Sequence, residues 1–195
     1  MKLFVKKNAD ALQFSKLGYV VIRNLYPIHQ HTIRQPDLYH ALLSKDGGKE
    51  DSQSPGTKSY SFVSDVDKVH MKMLPKIEHA TGLSLYPTYG YMRKYHSESI
   101  LTPHVDRPAC EISCTLCIGY EGDYSWPISI IDKSGAVQKV TLEPGDGLIY
   151  RGCELEHWRE PADERVVNHI QAFFHYVDQN GPFEDYIFDN KNPVA

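Results

Sequence analysis

Leu101-Thr102-Pro103-His104-Val105-Asp106-Arg107-Pro108 lies between an aromatic-rich run and a strand-like run. On a strand or extended loop, residues i and i+2 point to the same side. His104 and Asp106 are therefore expected to reach one metal ion together. The candidate third ligand is His157, in the run Tyr150-Arg151-Gly152-Cys153-Glu154-Leu155-Glu156-His157-Trp158-Arg159. An H-x-D pair alone is more often two loop residues than a metal site, so its surroundings decide its meaning.

Downstream, residues 111–118 read as a strand, and residues 125–132 as another. Lys133-Ser134-Gly135 turns the second back into a hairpin with residues 137–142. Glu143-Pro144-Gly145-Asp146-Gly147 is a tight turn, and Leu148-Ile149-Tyr150-Arg151 is a strand leading towards His157. A long final strand spans residues 166–177, and an irregular tail follows. Upstream, residues 85–95 form a strand with Tyr89, Tyr91, Arg93 and Tyr95 on one face. That face lines a wet cavity or lies exposed on an edge strand.

Helical spacing runs from Val66 to Ala80, with Val66, Val69, Met73 and Ile77 on one stripe. His70 and His79 are expected to be solvated there. Residues 45–57 form a surface loop, with a lid as the alternative, and residues 33–43 a short helix. Asn8 to Leu17 is a helix capped by Asn8 or Asp10 and stopped by Gly18. Tyr19 to Arg23 is a strand. Helices and one strand, followed by about seven strands joined by turns, predict a mainly β protein with flanking helices (α+β). The architecture expected is a double-stranded β-helix, or jelly roll. One domain over 1–195 is expected, with helical support about 1–84, a core about 85–178 and a tail 179–195.

Of the 195 residues, 41% are hydrophobic and 24% charged, as in a globular protein. The net charge of -4 and the lack of a basic run argue against nucleic acid as partner. No apolar stretch approaches the roughly 18 residues of a membrane span. The N-terminus lacks a secretory pattern, so a cytoplasmic location is expected. Cys110, Cys114 and Cys117 have the C-x3-C-x2-C spacing of an iron–sulfur site. On a strand, however, Cys114 and Cys117 face opposite sides, so buried free thiols are expected instead.

Residues 85–178 resemble the Fe(II)- and 2-oxoglutarate-dependent dioxygenases, in the prolyl-4-hydroxylase-like branch. The resemblance rests on an ordered set: Tyr91-Met92-Arg93-Lys94-Tyr95, His104-Val105-Asp106, Trp126-Pro127-Ile128, the run from Glu143 to Gly152, and Glu156-His157-Trp158-Arg159-Glu160. Gly18-Tyr19-Val20-Val21-Ile22 also resembles the N-terminal strand of several such enzymes. Two imidazoles and a carboxylate with other positions open are the ligand set of non-haem Fe(II) oxygenases. The resemblance implies Fe(II) on His104, Asp106 and His157, with 2-oxoglutarate and O2 as cosubstrates and ascorbate as a possible reductant. It implies hydroxylation of an unactivated C–H bond on an amino-acid or peptidyl side chain, with release of succinate and CO2.

A basic residue is then needed for the far carboxylate of 2-oxoglutarate. Arg165, eight residues beyond His157, is the first choice, and His169 the alternative at the aligned position. Arg159 remains, either in this role or lining the substrate site. Tyr89, Tyr91 or Tyr95 would hydrogen-bond the same carboxylate, and Gln171 and His175 would line the pocket. The substrate is a small molecule or peptide. Loops 45–65 and 119–125 carry no signature of it, and no motif bears on oligomeric state. The competing readings are a non-catalytic jelly-roll or cupin-like metal-binding module, and a zinc hydrolase using Glu156 as base.

Overall fold

The computed structural model describes residues 8–27, 38–50 and 52–191. The first helix, α1 (Ala9–Leu17), starts where the Asn8 side chain accepts the Ala11 backbone N–H at 2.8 Å. It stops at Gly18, whose φ of 81° is a left-handed conformation open to glycine. Next come β1 (Tyr19–Ile22), α2 (Leu38–Leu43), β2 (Lys58–Ser61) and α3 (Ser64–Thr81). Of the helix expected over residues 33–43, residues 33–37 lie outside the described ones. β2 was not expected: Lys58-Ser59-Tyr60-Ser61 carries only one strongly β-prone residue, and its strand state comes from pairing with β3.

The strands that follow are β3 (Leu85–Tyr95), β4 (Leu101–His104), β5 (Ile112–Glu121), β6 (Ile128–Ile131), β7 (Val137–Val140), β8 (Gly147–Arg151), β9 (His157–Arg159) and β10 (Val167–Asp178). All pairings are antiparallel. They build a six-stranded sheet ordered β1-β8-β5-β10-β3-β2 and a four-stranded sheet ordered β4-β9-β6-β7. The tail is more regular than expected, with a 3-10 helix at Glu184–Lys191.

Strand parity divides the large sheet into two environments. Ile112, Cys114 and Leu116 of β5, with Ile170, Ala172 and Phe174 of β10, pack on the helices. There they meet Phe14 of α1 and the expected stripe Val66, Val69, Met73 and Ile77 of α3. Met73 and Ile77 are fully buried, which is worth roughly 1.5–3 kcal/mol each. The alternate residues face the small sheet. Cys117, Leu148 and Tyr150 pack there against Ile128 and Ile130. Cys114 and Cys117 thus lie on opposite faces, and all four cysteines are free thiols. His70 corrects an expectation: it is buried, stacked on Phe174 with ring centroids 5.4 Å apart. Its place on the helix is only one residue from Val69, so the burial of the stripe extends over it.

Candidate metal centre

β4 and β9 pair so that His104 and His157 are direct cross-strand partners. Their ring centroids are 4.3 Å apart. Asp106 follows two residues after His104, and its backbone N–H donates to the Gly152 carbonyl at 2.9 Å. Asp106 Oδ1 lies 3.7 Å from the Nε2 atom of each histidine. The three ligand atoms are all within 4.8 Å of one another.

The far atoms of all three side chains are tied back. His104 Nδ1 donates to the Thr102 carbonyl at 2.7 Å, and His157 Nδ1 to the Leu155 carbonyl at 2.9 Å. A carbonyl can only accept, so each Nδ1 bears a proton, and the neutral form of each ring offers its lone pair at Nε2. Burial holds the His157 pKa below its ordinary value, which keeps the ring neutral. Asp106 Oδ2 accepts the Ser113 hydroxyl at 2.7 Å. Two imidazole Nε2 atoms and one carboxylate oxygen thus converge, a donor set that suits Fe(II). Tyr150 donates its hydroxyl to His157 Nε2 at 3.2 Å, the lone pair that a metal would take. Its phenol is held protonated, far above its usual range, by burial.

The remaining candidates separate clearly. Gln171 and His175 lie between the sheets, fully or nearly fully buried. Tyr89 is buried and Tyr91 partly buried, and their rings pack against His175 at 4.7 and 5.8 Å. Tyr95 is buried too, its ring 5.8 Å from the Arg159 guanidinium. Arg165 does not join them. It is on the surface, paired with Asp163 at 2.6 Å and 60% exposed, with its guanidinium over the Tyr124 ring. β10 begins only at Val167, so Arg165 precedes the strand and is not carried on its inward face.

Of the candidate arginines, Arg159 is the one inside. It is 2% exposed, and one nitrogen donates to the Trp126 carbonyl. Among the described residues no carboxylate pairs with it. Its neighbour His169 is 1% exposed. Burial, then the Arg159 charge, hold the His169 pKa well below its usual value, so the ring is neutral. The Thr115 hydroxyl donates to Gln171 Oε1 at 3.0 Å, and Gln171 Nε2 donates to His169 Nε2 at 2.5 Å. The His169 proton is therefore on Nδ1, which finds no acceptor among the described residues. Arg93 is a second interior guanidinium, donating to Ser59 Oγ at 2.8 Å.

Glu156 is exposed, turned away from the metal ligands, so the base required by a zinc hydrolase is missing from that position. Trp158 also points outward and donates to Glu160 at 2.7 Å. The sequence reading missed Ser113, Tyr150 and Gly152. Ser113 could have been found from strand parity, since it shares a face with Cys117, opposite the apolar Ile112, Cys114 and Leu116.

The fold is the double-stranded β-helix seen in Fe(II)- and 2-oxoglutarate-dependent oxygenases. A prolyl-4-hydroxylase of Pseudomonas putida has a similar structure, with TM-score 0.61 and 14% identity over 86% of this chain and 97% of that one. HygX of Streptomyces hygroscopicus, solved with nickel and 2-oxoglutarate bound, gives 0.67 and 12% over 90% and 89%. The prolyl hydroxylase of Trichoplax adhaerens, in complex with a hypoxia-inducible-factor peptide fragment, gives 0.63 and 11% over 93% and 90%. No family model matches the sequence, and no curated protein matches it.

Proposed function

We propose that this protein is an Fe(II)- and 2-oxoglutarate-dependent oxygenase that hydroxylates an unactivated C–H bond of an amino-acid or peptidyl side chain. The observation that carries the reading is the convergence of His104 Nε2, Asp106 Oδ1 and His157 Nε2, each with its far atom tied back. Bound Fe(II), with 2-oxoglutarate and O2, supplies the oxidising power for hydroxylation and releases succinate and CO2. The protein holds three ligands on one side and keeps the reacting space between two sheets, shielded from bulk water.

Arg159 holds the far carboxylate of 2-oxoglutarate in this reading. A fully buried guanidinium without an anion is costly, and a diacid supplies the anion. Arg159 lies two residues beyond His157 on the same strand, so both face the interior. That separation is about 7 Å, which a five-carbon diacid chelating the metal can bridge. His169 Nδ1–H is a second donor beside Arg159, and the Tyr95 ring borders the same space. This assignment replaces Arg165.

The test is anaerobic addition of Fe(II) and 2-oxoglutarate with a search for the weak visible charge-transfer band. The band is expected in the wild type and absent in His104→Ala. Succinate release with O2 uptake separates an oxygenase from a metal-binding module. Metal binding with neither band nor succinate would overturn the proposal.

A further inference from the structure

We propose that Ser113 and His175 form a hydrogen-bond relay that holds Asp106 as a one-oxygen metal ligand. This inference rests on the metal reading above. It adds positioning residues on β5 and β10, two strands that carry no ligand.

Asp106 presents Oδ1 to the two histidines and keeps Oδ2 behind. Oδ2 accepts from Ser113 Oγ at 2.7 Å. It also packs against the backbone of Gly152, where an added Cβ would lie 2.3 Å from it. Ser113 therefore decides whether Oδ2 stays turned away from the metal.

The serine hydroxyl has one proton and three neighbours: Asp106 Oδ2, the Cys110 carbonyl at 3.1 Å and His175 Nδ1 at 3.0 Å. Carboxylate and carbonyl only accept, and the charged, shortest partner takes the proton. The ring must then donate from Nδ1–H to Oγ. That donation prevents the hydroxyl from turning its proton to the ring, and it strengthens the bond to Asp106.

The cost of this arrangement is visible. With its proton on Nδ1, the neutral His175 ring has a bare Nε2, and Nε2 is buried with no hydrogen-bond partner among the described residues. Buried polar atoms are rarely left so. The ring packs against Tyr89 and Tyr91, with ring centroids 4.7 and 5.8 Å away, and the His175 backbone carbonyl accepts from His70 Nε2 at 3.2 Å. The fold tolerates one unsatisfied nitrogen and in return keeps Ser113 aimed at Asp106.

The experiment is an anaerobic Co(II) titration of the full chain, read by d–d absorption, with a thermal melt of each variant. Wild type is expected to bind, and His104→Ala to lose binding. Ser113→Ala is expected to bind about tenfold or more weakly with a displaced band, because the freed Oδ2 can join the metal. Ser113→Thr should retain affinity. His175→Asn places an amide donor near the Nδ1 position and should stay close to wild type. His175→Gln places its donor near Nε2 and should bind as weakly as Ser113→Ala. Folded Ser113→Ala with wild-type affinity and an unchanged band would overturn the relay and leave the metal reading standing. Should Ser113→Ala fail to fold, equal affinities of His175→Asn and His175→Gln would overturn it. A wild type that binds no Co(II) would remove both.

Discussion

Gly152 shows how closely the centre is packed. An added Cβ would meet Asp106 Oδ2 and the Cys110 carbonyl at 2.3 Å each, and Ser113 Oγ at 2.8 Å. One of these neighbours is backbone and another is the candidate ligand Asp106, so neither can yield without moving the loop. Gly152→Ala is expected to weaken Co(II) binding by about 10- to 100-fold while the chain still folds, measured by titration and circular dichroism. Arg159 gives a complementary test. Losing a charge-assisted bond worth about 1.5–3 kcal/mol should raise the 2-oxoglutarate needed for succinate release by about 10- to 100-fold in Arg159→Leu. Arg165→Ala, on the surface, should leave that requirement unchanged. The opposite ranking would return the anchor to Arg165.

Among the elements, the turn from Glu143 to Gly147 clamps β1 to β8 through Asp146. Its Oδ1 accepts the Asn24 N–H at 2.8 Å, and its Oδ2 accepts the Glu143 N–H at 3.1 Å and Arg23 Nη1 at 2.6 Å. Asp146 is buried, while the Arg23 side chain is 63% exposed. The ion pair is therefore worth little: the Asn24 N–H carries the link to β1, and the Glu143 N–H holds the turn itself. Asp146→Ala is expected to cost about 2 kcal/mol in denaturant unfolding, and Arg23→Ala under about 1 kcal/mol. Equal losses would show that the ion pair, not the turn, joins the two strands.

For the molecule as a whole, acid sensitivity follows from four buried rings whose pKa values burial lowers, His70, His157, His169 and His175. Burial pushes both His70 and His175 down to about 4, against about 6.5 in an unfolded chain. Between these values the unfolded state binds more protons. The stability they contribute is therefore full above about pH 6.5 and is lost as pH falls towards 4. Each ring accounts for at most about 3 kcal/mol. The melting temperature of the metal-free protein should fall across that window, and less steeply in His70→Gln. A flat profile between pH 6.5 and 4 would refute the assignment of neutral rings.

Local pattern alone determined much of this protein. Asn8 and Gly18 bound α1 because capping chemistry is local. The alternation in residues 85–95 and 111–118 showed which residues share a face, because a strand side chain has only two directions. The spacing of His104 and Asp106 showed that they could share an ion. Only the tertiary structure decided which basic side chain is inside. Arg165 precedes the strand, whereas Arg159 follows His157 on a strand covered on its inner side. It also decided that His70 is buried and that β2 forms, since both depend on β10 and β3 arriving from far along the chain. Periodicity reports which residues share a face; whether that face is covered depends on the closure of the barrel.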